Sequence, residues 1–332
     1  MKLKVNRSGR ASACVGLLLT TALLGSCGGG GTQVNSFRPT RLIALGDETS
    51  VINPTDGSKY TVNAVKSDKV TIDCAANPIW VQTVASVYGL VFPECNPQAL
   101  PAPPSRIWAR NGAVVADLPD QIGNQVNSGG FASDDLVTVL VGTHDIETQF
   151  LRYPAVDEGT LQDNLRRAGA DLAAQVNAIA ELGAKVLVST APDLGRTPFA
   201  GDRSAGSTNV SFGVLSRLST AFNDGLLGNL TNDGRKIGLV QLDAYVQQVD
   251  SARIAGGGSF FNTTLGACLA SAPPPVCTTE LLGTDAAAIP PPTVVSTASG
   301  VTWLWADALH LSAGGQAGLA VMAVTRAQNN PF

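Results

Sequence analysis

The run Asp135-Leu-Val-Thr-Val-Leu-Val-Gly142 is apolar almost without interruption. A strand with one wetted face alternates apolar and polar residues, so a run apolar at both parities must be covered on both faces. That demands helical layers above and below a sheet, and the rest of the chain supplies them. Arg41-Leu-Ile-Ala-Leu-Gly46, residues 105–109, Lys185-Val-Leu-Val-Ser189 and residues 237–242 read as further strands. Between them, Leu161, Leu165, Ala168, Leu172, Val176 and Ile179 recur three and four apart, which predicts an amphipathic helix over 161–182 closed by Gly183. Residues 78–88, 212–230 and 315–328 read as helices too. Strands alternating with helices predict an α/β domain, a three-layer α/β/α sandwich around a mostly parallel sheet. Ligands in such sheets sit beyond the carboxyl ends of strands. Chemistry is therefore expected just after Leu45, Trp108, Val141 and Leu242.

The 332 residues do not all belong to that domain. Lys2, Lys4, Arg7 and Arg10 precede a short apolar stretch from Val15 to Leu24, the pattern of a secretory signal. That stretch is too short to span about 30 Å of hydrocarbon as a helix. It ends Leu24-Gly25-Ser26-Cys27, which resembles a bacterial lipobox. The resemblance implies removal of residues 1–26, lipidation of Cys27, a tether over 27–38 and a domain over 39–332; the alternative is an ordinary signal peptide with an accidental cysteine and a secreted protein. The lipobox resemblance also implies membrane attachment without a spanning helix, in the bacterial cell envelope and, with glycine at position 28, at the outer membrane. Removing residues 1–26 takes four basic and no acidic side chains, moving the net charge from −4 to −8. An acidic surface without basic blocks argues against nucleic acid as a partner.

In an oxidising compartment Cys74, Cys95, Cys268 and Cys277 are expected to form two disulfides. Four cysteines allow three connectivities. Local pairing, Cys74 with Cys95 and Cys268 with Cys277, is preferred because each pair flanks a Pro-containing loop. A zinc site is the competing use of the cysteines, though no C-x-x-C or Cys/His spacing supports it. Residues 255–300 carry glycines and two proline triplets, and read as an insertion looping over one end of the domain.

The chain has only two histidines, His144 and His310, so any histidine chemistry uses one of them. Asp307-Ala-Leu-His310 sets a carboxylate three residues before an imidazole. On a turn it can accept the Nδ1 proton and leave Nε2 as a general base. Taken alone, such spacing is common. Three further segments stand in order before it. Leu42-Ile-Ala-Leu-Gly46-Asp47 is similar to the opening of a GDSL block, and Ile107-Trp-Ala-Arg-Asn-Gly112-Ala113 resembles the second block with its glycine. Val139-Leu-Val-Gly142-Thr-His-Asp145 resembles the G-x-N-D block. With Asp307 and His310, the chain resembles the SGNH/GDSL hydrolases over nearly all of residues 39–332.

The resemblance implies the flavodoxin-like SGNH hydrolase fold and hydrolysis of carboxylic esters, lipid or carbohydrate, through an acyl-enzyme. It implies His310 as base, Asp307 as the group orienting it, and no cofactor or metal. Gly112 and the third block would supply oxyanion donors. Two positions depart from the pattern. Glu48 stands where the serine directly follows Gly-Asp, with Thr49 and Ser50 beyond; acylation of that carboxylate would give an anhydride, a poor match to ester turnover. Ser50, a less hindered primary hydroxyl, is the preferred nucleophile and Thr49 the alternative; otherwise either hydroxyl only caps the next segment. His144 replaces the usual asparagine, either as an oxyanion donor or as a buried cap on a strand end. Asp145 and Asp47 are expected to support the loops. These departures leave open a different class, an inactive surface lipoprotein that uses the fold as a binding module.

Overall fold

The computed structural model describes residues 37–203, 210–284 and 298–332. Residues 1–26 and Cys27 lie outside them, as does the second proline triplet at 290–292. Five strands, β1 (Arg41–Gly46), β2 (Arg106–Ile107), β3 (Asp135–Leu140), β4 (Lys185–Ser189) and β5 (Ile237–Val240), form one sheet in the order β2-β1-β3-β4-β5. Every pairing in it is parallel, with Ile43 opposite Val137, Val137 opposite Val186 and Val188 opposite Leu239. The expected α/β sandwich is what the chain forms.

Alternate residues of each strand enter different cores, as the unbroken apolar runs require. Ile43, Leu45, Val137 and Val139 face a core closed by α2 (Leu118–Asn127), α3 (Thr143–Phe150), α4 (Glu158–Glu181) and α6 (Val210–Asn229). Leu42, Ala44, Leu136 and Leu140 face a second core closed by α1 (Trp80–Val87), α7 (Leu242–Ile254) and α8 (Ala313–Asn329). A short helix, α5 (Pro198–Arg203), follows β4. The α4 helix begins three residues before its first apolar position because Asp157 caps it, accepting from Thr160 N at 2.9 Å.

Several expectations need correction. Residues 118–127, 143–150 and 242–254 are helices that the apolar spacing does not announce. The strand expected over 237–242 stops at Val240, and Leu242 already opens α7, whose Asp243 accepts from Thr190 Oγ1 at 2.7 Å. Within 255–300, β6 (Asn262–Gly266) pairs in parallel with β7 (Trp303–Trp305). The disulfides join Cys74 to Cys95 and Cys268 to Cys277, the local pairing. Asn63 holds the second loop against the body, donating through Nδ2 to the carbonyls of Pro275 at 3.0 Å and Cys277 at 3.1 Å. Among the described residues no helix is long and apolar enough to cross a membrane.

Candidate functional site

Three parallel strands, β1, β2 and β3, deliver three parts of the site at the carboxyl end of the sheet. Gly46 ends β1 at φ +120°, and a Cβ there would lie 1.8 Å from Leu140 O, so only glycine fits. Gln121 of α2 clamps the same residue, accepting from Gly46 N at 2.7 Å and donating to Gly46 O at 2.9 Å. The chain then makes a single 3₁₀ turn over Glu48–Ser50, capped by Asp47, whose Oδ1 accepts from Thr49 N at 3.0 Å. This turn decides which side chain faces the site.

Glu48 faces it, and Ser50 does not. Ser50 is fully buried toward α1, where its Oγ accepts from Trp80 Nε1 at 3.1 Å. The expectation that Ser50 would meet His310 is therefore corrected, since one turn of 3₁₀ helix aims position 50 into the core. Thr49 is engaged through its backbone N–H in the cap. The group opposite His310 is the Glu48 carboxylate, with Oε1 3.0 Å from His310 Nε2.

The rest of the site converges on that same carboxylate. Gly142 (φ +128°) turns the chain from β3 into α3, in a space where a Cβ would meet the Phe222 ring at 2.5 Å. The turn places His144 in the first turn of α3, with Nε2 2.6 Å from Glu48 Oε1. Beyond β2, the Gly112 N–H donates to Glu48 Oε2 at 2.8 Å. Asp307 and His310 sit on the tight turn between β7 and α8. There Asp307 accepts from His310 N at 2.8 Å, and its two oxygens lie 2.9 and 2.8 Å from Nδ1. Tyr60 packs beside the His310 ring, centroids 5.4 Å apart.

Glu147 was not anticipated. Its Oε2 lies 3.1 Å from His144 Nδ1, so His144 has a carboxylate behind it just as His310 has Asp307. The result is an alternating row, Glu147–His144–Glu48–His310–Asp307, with both Nε2 atoms on one oxygen. The signal was present: Glu147 stands three residues from His144, as Asp307 does from His310. Asp145 ties the second block to α3, accepting from Val115 N at 3.1 Å. Asp243, beyond Leu242, bonds to Thr190 rather than to this row.

The row fixes its own protons. Nδ1 of each imidazole faces a carboxylate, so Nδ1 carries hydrogen. Two lone-pair Nε2 atoms against a carboxylate oxygen would repel, and both contacts become bonds only when both rings are imidazolium. Glu147 and Glu48 push the His144 midpoint up to about 10. Burial works against the charge on His310, but Asp307 and Glu48 outweigh it and raise that midpoint to about 10 as well. Burial would lift the Glu48 carboxyl, yet the two imidazolium partners hold it well below the usual carboxylate range. Asp47 is different. Burial and the charge of Glu48 push it up to about 7, and its Oδ2 has no hydrogen-bond partner among the described residues. No group of three or more metal-ligating side chains suited to an ion is found among the described residues.

A family model described as GDSL-like lipase/acylhydrolase matches residues 106–320. That span contains Gly112, His144, Asp307 and His310, and begins after the turn that carries Glu48. Among solved structures, the chain is similar to a lipase from goat rumen metagenome, at 13% identity over 64% of this chain and 85% of that one, TM-score 0.40. It is also similar to a member of the lipolytic protein G-D-S-L family from Veillonella parvula, at 11% identity over 86% and 96%, TM-score 0.40. An extracellular lipase from Streptomyces rimosus shows 15% identity over 72% and 93%, TM-score 0.39. No curated protein matches the chain.

Proposed function

The chain belongs to the GDSL-like lipase/acylhydrolase family, and from that premise we propose a hydrolase whose attacking group is the Glu48 carboxylate rather than a hydroxyl. One observation carries the reading: His310 Nε2, His144 Nε2 and the Gly112 N–H all converge on Glu48. On a carboxylic ester, Glu48 Oε1 adds to the carbonyl, and Gly112 and His144 are the donors within reach of the oxyanion. The leaving oxygen departs with its electron pair and takes the Nε2 proton of His310. Water then adds to the acyl-Glu48 anhydride, and neutral His310 takes the water proton. The acid leaves and Glu48 is restored. Such an anhydride is reached only when the leaving group is a good one, so aryl esters and thioesters fit better than alkyl esters.

The test is a series of aryl acetates of rising leaving-group pKa. Turnover should fall steeply along the series, vanish in Glu48→Gln and His310→Ala, and persist in Ser50→Ala. Turnover that survives Glu48→Gln would overturn the assignment. A second reading, a binding module without turnover, is favoured by the completeness with which the resting Glu48 carboxylate already occupies all three donors. Folded protein that hydrolyses none of the esters would support it.

For location, the proposal is a lipid anchor at Cys27 holding the domain to the bacterial outer membrane. Cys27→Ala should then move the protein from the membrane fraction to the soluble one. Lipids and acetylated carbohydrates, the ester classes the family suggests, are alkyl esters and should turn over more slowly by this route than aryl acetates.

A further inference from the structure

We propose that Glu48 attacks a saturated carbon, opening an epoxide to form a hydroxyalkyl ester of its own side chain, which the site then hydrolyses. The inference rests on the reading of Glu48 as the attacking group and names the substrate class that suits it. A carboxylate attacking an acyl carbon makes an anhydride, more reactive than the ester it came from. The same carboxylate attacking a saturated carbon makes an ordinary ester, held on the enzyme. Hydrolysis of that ester needs an oxyanion donor on Glu48's own carbonyl oxygen. The Gly112 N–H occupies that place already, 2.8 Å from Oε2. In a serine-type site such a donor would serve an incoming carbonyl; here it serves the resident carboxyl.

The two histidines complete the requirement. Breaking the carbon–oxygen bond of an epoxide needs an acid, and hydrolysing the ester needs a base for water and an acid for the departing alcohol. The site has two imidazoles on Oε1, at 2.6 Å and 3.0 Å, each backed by a separate carboxylate. A serine route uses one such dyad; there the second imidazole serves only as an oxyanion donor, a task that needs no carboxylate behind it. In the first step an Oε1 lone pair forms the new O–C bond. The epoxide C–O bond breaks, its electron pair goes to the ring oxygen, and that oxygen takes the Nε2 proton of His310. In the second step water adds to Cδ and gives a proton to the now neutral His310, while the negative charge develops on Oε2 against Gly112. The Cδ–Oε1 bond then breaks. Oε1 leaves with the diol and takes the Nε2 proton of His144, and the new carboxyl returns a proton to His144. The sum is epoxide plus water to 1,2-diol. Three carboxylates and two imidazolium rings leave the row with one net negative charge, so the epoxide should itself be neutral.

The route marks its oxygen atoms. One Glu48 oxygen enters the first diol, and a water oxygen replaces it in the enzyme. The experiment is a single turnover of styrene oxide by the wild-type full chain, in excess over substrate, in H₂¹⁸O. The expected result is unlabelled diol and ¹⁸O in the peptide containing Glu48, read by mass spectrometry; later turnovers give labelled diol. His144→Gln keeps the ring-opening acid but lacks the acid for the departing alcohol, so it should accumulate the enzyme with one epoxide mass added at Glu48, whereas His310→Gln and Glu48→Gln should form neither adduct nor diol. Label in the diol of the first turnover would overturn the inference, because water would then have attacked the epoxide directly. Glu48-dependent hydrolysis of aryl acetates without any styrene oxide adduct would overturn it while leaving the ester reading intact. Absence of both activities in folded protein would overturn the Glu48 reading itself.

Discussion

Glu48→Gln changes two titrations at once, and by amounts the structure sets. Each imidazole has two carboxylate partners, its own (Glu147 or Asp307) and the shared Glu48. Together these lift both midpoints from 6.5 to about 10. Glutamine keeps the shape of Glu48 and removes its charge, leaving each ring one partner. An opposite charge within hydrogen-bond distance raises a histidine by about 1–3 pH units, so both midpoints should fall by about 2, to about 8, or about 3 kcal/mol per ring. With only two histidines in the chain, the imidazole ¹H–¹⁵N signals are two sets, followed directly against pH. The sign also reaches folding. A histidine raised on folding contributes stability that is complete below its unfolded value, near 6.5, and is lost as pH rises through its folded value. In wild-type protein this contribution should therefore decline from about pH 6.5 and be gone by about pH 10, and in the variant it should be gone by about pH 8. A wild-type histidine titrating near 6.5, or midpoints unmoved by Glu48→Gln, would refute the alternating charge arrangement.

Glu48→Ser restores a hydroxyl before His310 and Asp307, and the variant should react with a fluorophosphonate probe while wild type does not. Lys59 is buried with its ammonium on the carbonyls of Cys74 (3.0 Å), Ala76 (2.8 Å) and Asn77 (2.9 Å). Lys59→Met strands those acceptors and should cost about 3 kcal/mol in urea unfolding, with the loss concentrated in the loop that carries Cys74. Gly46→Ala forces a Cβ to 1.8 Å from Leu140 O at φ +120°; it should lower the melting temperature sharply and scatter the Glu48 turn. Replacing Cys74 and Cys95 by alanine opens a link spanning 21 residues and should cost about 3 kcal/mol by thermal unfolding.

The sheet was readable because its signal is redundant. Leu136, Val137, Val139 and Leu140 are apolar at both parities, and a strand covered on both faces leaves the chain few other architectures. The helices that escaped have weaker patterns for a physical reason. In Leu118–Asn127 the buried positions include Gln121 and Gln125, whose amides serve the backbone of Gly46 and Gly130. A helix that buries polar side chains for such a purpose does not show an apolar stripe. Leu242–Ile254 likewise buries Asp250, which accepts from Arg196 and Thr263.

At the site, Asp307, His310, Gly112 and His144 could be named from local sequence because each lies on its own short motif. The working side chain at the centre could not, because the choice between positions 48, 49 and 50 depends on the sense of a single turn. Three residues of 3₁₀ helix rotate through one full turn, so positions 48 and 50 point in different directions, and the burial partner decides which goes inward. Trp80 supplies that partner for Ser50 through its indole N–H, itself held in place where Trp80 N donates to Gln316 across to α8. The identity of the attacking group is thus set in the core beneath it. Both Glu48 and Ser50 are buried, but a carboxylate could not take the place of Ser50 against Trp80, which offers one neutral donor where a buried anion needs several. Facing the site, the same carboxylate finds two imidazolium rings and an amide. Glu48 and His144 therefore act together: each offsets charge on the other within the row, alongside His310 on Glu48 and Glu147 on His144.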